Sequence, residues 1–344
     1  MHRIAATMAA AGYAVLLIGR KRKDSIPLQT ESYSQERLSC FFDRGFLFYL
    51  EYNLRLFFFL LFQKAEIICA IDLDTILPVY LVTLLKREKR VYDAHEIFTE
   101  QKEILTRPFI HSIWLMIERF AVPKFKNGYT VNHSIANELE KRYAVKYVLI
   151  RNLPKTYTLP VIPPQPEPWF LYQGAVNEGR CFETLIPAMR EVNAKLLICG
   201  KGNFFEQTRQ LIIKYGVENK VALRGYVSPQ DLINITPFAF AGITLFEREG
   251  MNQYYSLCNR FFDYTMAGIP QLCVNYPEYA VFNKEYPVAL LVDSTDPKTI
   301  AEALNNLLMD TVLYSTRREN CLKAREKWNW KQEQNTLIHF YHNI

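Results

Sequence analysis

The sequence predicts an α/β protein made of two doubly wound, parallel-sheet domains of Rossmann-like type. Three observations carry this. Short apolar runs of strand length alternate with helical patterns along the chain, the rhythm of βα units. The rhythm breaks at residues 159–168, where Pro160, Pro163, Pro164, Pro166 and Pro168 make a stiff linker poor in backbone donors. The 344 residues, 49% apolar and 22% charged, exceed one ordinary core and suit two globular domains.

Before the linker, residues 3–11 follow a helical pattern and 14–19 form an unbroken apolar run, read as a strand buried on both faces. Residues 50–63 read as a helix and 67–71 (IICAI) as a second buried strand. A helix over 75–85 follows Asp74, a natural N-cap residue, and leads to a strand at 90–93. Residues 112–120 belong to a long helix, and 129–131, 135–142 and 147–150 repeat strand, helix, strand. After the linker come strand 169–172, helix 181–190, strand 195–199, helix 204–215, strand 221–224, helix 229–235 and strand 241–245. A helix ending in Gly268-Ile269-Pro270, a stop signal, precedes strand 271–274, and a helix over 297–308 closes the series. In open α/β sheets ligands bind beyond the strand C-termini, so the expected site is a cleft between the two domains.

Composition narrows the chemistry. The seven cysteines lack CxxC spacing and read as buried thiols in a reducing compartment, with neither a zinc site nor a disulfide framework. The net charge of +6 is concentrated early: residues 1–155 carry 23 Lys/Arg against 16 Asp/Glu. The clusters Arg20-Lys21-Arg22-Lys23 and Lys86-Arg87-Glu88-Lys89-Arg90 lack the patterns of nucleic-acid modules. They fit an anionic membrane surface or substrate, or a merely solvated face. Residues 46–62 are the most apolar run, yet hold Glu51, Asn53 and Arg55 and fall short of a span. They read as a partly buried or interfacial helix.

Four stretches carry candidate chemistry. Asp263 is the one carboxylate in the apolar run 254–270 and needs a partner there, or else faces solvent from an amphipathic helix. Gly174, Gly179 and Arg180 lie in a strand-to-helix turn, a place where backbone N–H groups and a guanidinium suit a phosphate. Gly200-Lys201-Gly202 resembles it but reads as a plain βα turn. His95 and Glu96 end a strand, where His95 either serves proton transfer or caps a helix. Asp72-Leu73-Asp74 has the DxD form of some metal sites; without a third ligand in view it reads as a junction, and no metal is expected.

Together these segments resemble the retaining GT-B glycosyltransferases of family 4, the glycosyl transferases group 1 of bacterial polysaccharide pathways. The matching stretches are YDAHE (92–96), TVNHSIANELEKRY (130–143), RNLP (151–154), YQGAVNEGR (172–180), LLICGKGN (196–203), KVALRGYVSPQDL (220–232) and, most specific, NRFFDYTMAGIP (259–270). The resemblance implies a GT-B fold with an N-terminal acceptor-side domain over 1–155 and a nucleotide-sugar domain over 156–327. A C-terminal helix over 328–344 would cross back to the first domain. It implies transfer of a sugar, with retained configuration and without metal or other cofactor, from a nucleoside diphosphate sugar to a lipid-linked or polysaccharide hydroxyl.

By the same resemblance Asp263 holds the ribose diol, Arg180 faces the diphosphate, and Gly174 lets the backbone approach it. Ser256, Leu257 and Asn259 lie near the phosphates at the helix start, Gly225 and Tyr226 flank the base, and His95 lies near the reacting sugar and acceptor. Two departures stand out. Tyr255 occupies the place of a sugar-facing carboxylate, and the chain starts within what resembles the family's first helix, so the first strand and its glycine loop are expected to be missing. The implied location is the cytoplasm, at the inner face of the cytoplasmic membrane. Alternatives are a GT-B nucleotide-sugar epimerase and a protein that binds donor without turning it over.

Overall fold

A computed structural model describes residues 1–23, 25–162 and 167–344. The chain divides into two compact units, Met1–Arg151 with Glu333–Ile344, and Asn152–Gln332. Of the proline-rich linker, residues 163–166 lie outside the described residues.

The first unit runs α1 (His2–Ala10), β1 (Leu16–Lys21), β2 (Ser34–Ser39), α2 (Gly45–Phe62), β3 (Ile67–Ile71), α3 (Ile76–Lys86), β4 (Lys89–Ala94), α4 (Lys102–Leu105), α5 (Pro108–Ala121), β5 (Asn127–Thr130), α6 (His133–Tyr143) and β6 (Val148–Leu149). All pairings are parallel, as the alternating pattern requires. They form two separate sheets, β1–β2 and β3–β4–β5–β6. The edges β1 and β3 both line a cavity of about 700 Å³, with Met8 of α1 and Leu56 of α2 among its walls. Among the described residues no strand lies between those edges, the place where a continuous doubly wound sheet would have one.

Strand β2 (SQERLS) escaped the sequence reading because its polar residues fit an edge strand, exposed along much of its length. The basic cluster at 20–23 is also not simply solvated. Arg20 lies in β1, where it pairs with Asp43 at 3.2 Å and covers the Phe48 ring at 3.8 Å. Asp74 is not an N-cap, since no side chain caps the turn at Leu73–Thr75 or α3.

The second unit holds β7 (Trp169–Gln173), α7 (Phe182–Ala188), β8 (Lys195–Cys199), α8 (Phe205–Tyr215), β9 (Val221–Gly225), α9 (Pro229–Ile235), β10 (Ala241–Thr244), α10 (Met251–Tyr254), α11 (Asn259–Met266), β11 (Gln271–Val274), α12 (Pro277–Glu285), β12 (Ala289–Val292), α13 (Pro297–Met309) and α14 (Thr311–Ala324). A last helix, α15 (Trp330–His342), begins here and runs into the terminal segment grouped with the first unit. The strands form one parallel six-stranded sheet in the order β12-β11-β10-β7-β8-β9. Its core is built from aromatic and branched side chains such as Phe170, Phe182, Ile243, Phe261 and Leu304, all fully buried.

Strand order reverses between β7 and β10, which places a crevice for ligands beyond their C-terminal ends. Helix α11 ends as its sequence predicts. Gly268 takes φ +70°, its N–H bonds to Thr265, and the Ile269 N–H reaches back to Tyr264.

Candidate functional site

The crevice of the second unit gathers glycine turns, two arginines and a carboxylate at the strand C-termini. After β7 the chain turns at Gly174, whose φ of +120° favours glycine, and a Cβ there would lie 3.3 Å from Nη1 of Arg260. The turn continues through Gly179 (φ +79°) and Arg180 to Cys181 in the left-handed region, then α7. The guanidinium of Arg180 stacks on the Phe246 ring at 4.4 Å. Arg260, in the first turn of α11, covers the same ring at 4.8 Å and the Tyr172 ring at 4.5 Å. Two guanidiniums thus share Phe246.

Arg260 is 7% exposed, and its hydrogen bond is one long contact, Nη1 donating to the Gln173 carbonyl at 3.3 Å. Its Nε has no partner. Among the described residues no carboxylate pairs with Arg180 or Arg260. Burial, followed by the charge of Arg260, makes the Arg180 guanidinium less basic than usual. A buried, unpaired cation is costly, and an anion between the two arginines would relieve that cost.

Asp263 lies one helical turn beyond Arg260. Its Oδ2 accepts a hydrogen bond from Gln173 Nε2 at 3.2 Å, and Gln173 Oε1 in turn accepts from the Thr236 hydroxyl at 2.8 Å. This side-chain chain fixes the carboxylate's position. Tyr264 braces the same strand end, accepting from the Gln173 N–H at 3.0 Å and donating to the Leu171 carbonyl at 2.9 Å. Just before the helix, the Tyr279 hydroxyl takes the Cys258 N–H at 3.1 Å and meets the Ser256 hydroxyl at 3.3 Å. Leu257 packs on the core between these anchors, and Asn259 is exposed at the helix start. No side chain caps α11; in its first turn the Phe261 N–H bonds the Cys258 carbonyl at 3.2 Å.

Gly225 ends β9 with φ +83°, and Tyr226 after it is 70% exposed. The turn Gly200-Lys201-Gly202 has a packing reason: a Cβ on Gly200 would overlap the Gly174 carbonyl, and one on Gly202 the Val176 carbonyl. Tyr255 ends α10. The loop bearing Glu247 is tied to the arginine turn instead, its N–H donating to the Gly179 carbonyl at 3.1 Å.

His95 belongs to the first unit, at the end of β4, and caps no helix. Its Nε2 lies 3.2 Å from Oδ2 of the buried Asp93, and its backbone N–H donates to Asp72 Oδ1 at 3.0 Å. Burial lowers the basicity of the imidazole, but the Asp93 hydrogen bond and the Asp93 and Asp72 charges outweigh it and raise the pKa. Burial drives Asp72 up as well, and Asp74 to about 6. Asp72 holds φ +55°, strained for a non-glycine residue. Among the described residues no group of three His, Cys, Asp or Glu side chains has a metal-binding arrangement.

The structure therefore brings Gly174, Arg180, Gly225, Tyr226, Ser256, Leu257, Asn259 and Asp263 to loops and helix ends of one sheet edge, with His95 in the other unit. Sequence reasoning missed Arg260 and Gln173. The signal for Arg260 was present as a basic residue inside an apolar run beside Asn259; Gln173 had none, since its role depends on Thr236 and Asp263 converging from distant positions.

Comparison with known proteins agrees with this architecture. Residues 161–328 match the family described as glycosyl transferases group 1. No curated protein matches the chain. Among solved structures, a sucrose-phosphate synthase from Thermosynechococcus elongatus superposes with a TM-score of 0.80 at 17% identity, covering 99% of this chain and 91% of that one. WaaG, a glycosyltransferase involved in lipopolysaccharide biosynthesis, gives 0.74 at 16% identity, with 98% and 93% covered. Anabaena HepE, solved in complex with UDP-glucose, gives 0.71 at 11% identity, with 91% and 87% covered. At these identities the likeness shows the fold.

Proposed function

We propose that this chain, a GT-B protein whose second unit carries the glycosyl transferases group 1 domain, transfers a sugar from a nucleoside diphosphate sugar to a hydroxyl acceptor. The observation that carries the reading is the pair Arg180 and Arg260 on Phe246, without carboxylate partners, one turn from the fixed carboxylate of Asp263. A diphosphate fits between two guanidiniums, and a carboxylate with two acceptor oxygens suits a ribose diol. HepE, of like fold, has been solved with UDP-glucose, which supports a nucleoside diphosphate sugar as donor.

In this reading the bond from the anomeric carbon to the diphosphate breaks and one to the acceptor oxygen forms, with configuration retained and an oxocarbenium-like transition state. Arg180, Arg260 and the α11 N-terminus stabilise the negative charge growing on the departing diphosphate, so no metal is called for. Gly174 leaves room for that approach, and Ser256, Leu257 and Asn259 shape the helix start. Gly225 and Tyr226 flank the base. His95, oriented by Asp93, serves the sugar or acceptor side. The acceptor is a lipid-linked or polysaccharide hydroxyl, met at the inner face of the cytoplasmic membrane.

A second reading, donor binding without turnover, is favoured by one observation: the first unit's sheet is split around the cavity between β1 and β3. A panel of nucleoside diphosphate sugars with detection of product separates the two. Transfer to acceptor supports the first, binding without conversion the second, and an epimerised donor would overturn both.

A further inference from the structure

Asp72-Leu73-Asp74 forms no metal arrangement among the described residues, and Asp74 caps no helix. The backbone at Asp72 is nevertheless unlike any other there. Among the described residues Asp72, Arg87, Ala144 and Cys181 are the non-glycine residues with positive φ. Arg87, Ala144 and Cys181 lie in the left-handed helical well at helix ends, with ψ of 32°, 38° and 29°. Asp72 combines φ +55° with ψ 175°, a region kept almost wholly to glycine. Glycine would make the same turn unstrained, and the chain carries a carboxylate instead.

That carboxylate reaches where glycine could not. The β3–β4 ladder ends at Ile71 opposite Asp93. Past it the Asp72 N–H donates to the Asp93 carbonyl at 2.9 Å, and Asp72 Oδ1 accepts the His95 N–H at 3.0 Å. A side-chain oxygen thus replaces the next main-chain acceptor and carries the pairing out to His95. Behind the turn the Thr75 hydroxyl donates to the Ile71 carbonyl at 2.8 Å and fixes its other side. His95 Nε2 lies 3.2 Å from Oδ2 of Asp93, a residue 1% exposed, whereas the imidazole is 31% exposed. With Nε2 committed to Asp93, Nδ1 is the nitrogen left for a ligand.

We propose that Asp72 is a positioning residue: from a backbone that glycine would hold without strain, its carboxylate fixes the His95 end of β4 and, with Asp93, presents the Nδ1 edge of the imidazole to substrate. The proposal rests on the reading above that His95 serves the sugar or acceptor side of the transfer. Charge decides what that edge offers. Burial and the Met1 amino group disfavour the imidazolium; the Asp93 hydrogen bond and the charges of Asp93, on β4, and Asp72, after β3, outweigh them. Glu96, next to His95 in the chain, adds negative charge beside Asp72 and Asp74. The ring is therefore cationic at neutral pH, and Nδ1–H donates to a substrate oxygen.

The test compares Asp72→Ala, Asp72→Gly and Asp72→Asn in the full chain. Each is measured for urea unfolding, for affinity toward the tightest of UDP, ADP and GDP, and for turnover of whichever donor the panel above shows to be converted. The His95 ring is titrated by NMR in histidine-labelled protein, with His95→Gln to assign its signals. Alanine keeps the strain and glycine relieves it, so Asp72→Gly should be the more stable of the two. Both lose the carboxylate, so both should show kcat at least about tenfold below wild type, nucleotide affinity within about twofold of it, and a His95 pKa lower by about one unit. Asp72→Asn keeps an acceptor for the His95 N–H and should recover most of kcat at pH about 6, with the His95 pKa still lowered. Activity that follows stability, recovering in Asp72→Gly over Asp72→Ala, would overturn the proposal, as would an unmoved His95 pKa or a less stable Asp72→Gly. If wild type converts no donor, the reaction above fails, while the His95 titration and the order of stabilities still decide the hold of Asp72 on His95.

Discussion

Replacing Arg260 by methionine should weaken nucleoside diphosphate binding while leaving the fold nearly as stable as before. The two effects have separate sources in the structure. Within the protein Arg260 makes one long hydrogen bond, at 3.3 Å, and stacks on Tyr172 and Phe246. The ring contacts are worth about 0.5–2 kcal/mol each and the hydrogen bond about 1 kcal/mol. Against them stands an unpartnered Nε, costing about 1–3 kcal/mol, besides the expense of burying an unpaired charge at 7% exposure. Methionine keeps the ring contacts through its sulfur and methylenes and removes the charge. The net change in unfolding free energy should fall within about 1 kcal/mol of zero, whereas breaking a structural buried ion pair costs about 3–5 kcal/mol.

A bound diphosphate, by contrast, loses a charge-assisted pair worth about 2–3 kcal/mol, or about 100-fold in affinity. Calorimetric titration with UDP, ADP and GDP, using the tightest of the three, and urea unfolding provide the two readouts. Unchanged affinity, or a loss of stability above 3 kcal/mol, would refute the assignment of Arg260 to an anion site.

Three further outcomes follow from the same geometry. Gln173→Leu removes the amide that joins the Asp263 carboxylate to the Thr236 hydroxyl, two hydrogen bonds at a residue 4% exposed, and should cost about 1–3 kcal/mol in urea unfolding as well as reduce nucleotide affinity. Gly242→Ala would drive a methyl into the Tyr264 ring, which braces Gln173, and should destabilise by about 1–3 kcal/mol without touching the crevice directly. For His95, burial lowers the pKa but the Asp93 and Asp72 carboxylates prevail and push it up to about 9 from 6.5. A folded pKa above the unfolded one stabilises fully below pH about 6.5 and is lost as pH rises through about 9. Wild type should therefore be more stable than His95→Gln at pH 6 and match it at pH 10 in urea melts; a gap that widens with pH would contradict the Asp93 pairing.

Much of the architecture was legible because buried parallel strands announce themselves as unbroken apolar runs. IICAI at β3, KLLIC at β8 and QLCV at β11 appear where the hydrophobic pattern put them. Strand β2 was missed because an exposed edge strand need not be apolar, and its pairing with β1 is set by main-chain contacts that composition does not record. Strand β12 and helix α12 went unread in a stretch where short segments carry little periodicity, the helix covering Pro277–Glu285.

At the site the same distinction holds. Gly174 and Arg180 are local in sequence and were visible as a turn into a helix. The chain Thr236–Gln173–Asp263 joins residues from three elements, and only folding puts them in register. The Gly200 turn, which mimics a phosphate loop, proves to be demanded by the neighbouring Gly174 carbonyl. Arg260 lay beside Asn259 in plain view, but its significance is that it is buried without a carboxylate, a property of the fold and not of the motif.

The central claim is that the crevice at the ends of β7 and β10 holds a nucleoside diphosphate through Arg180, Arg260 and Asp263. A crystal structure with the tightest-binding nucleoside diphosphate tests it most directly. The diphosphate should lie between the two guanidiniums at the start of α11, with both ribose hydroxyls on the Asp263 carboxylate. A nucleotide bound elsewhere, or one whose ribose leaves Asp263 untouched, would contradict it.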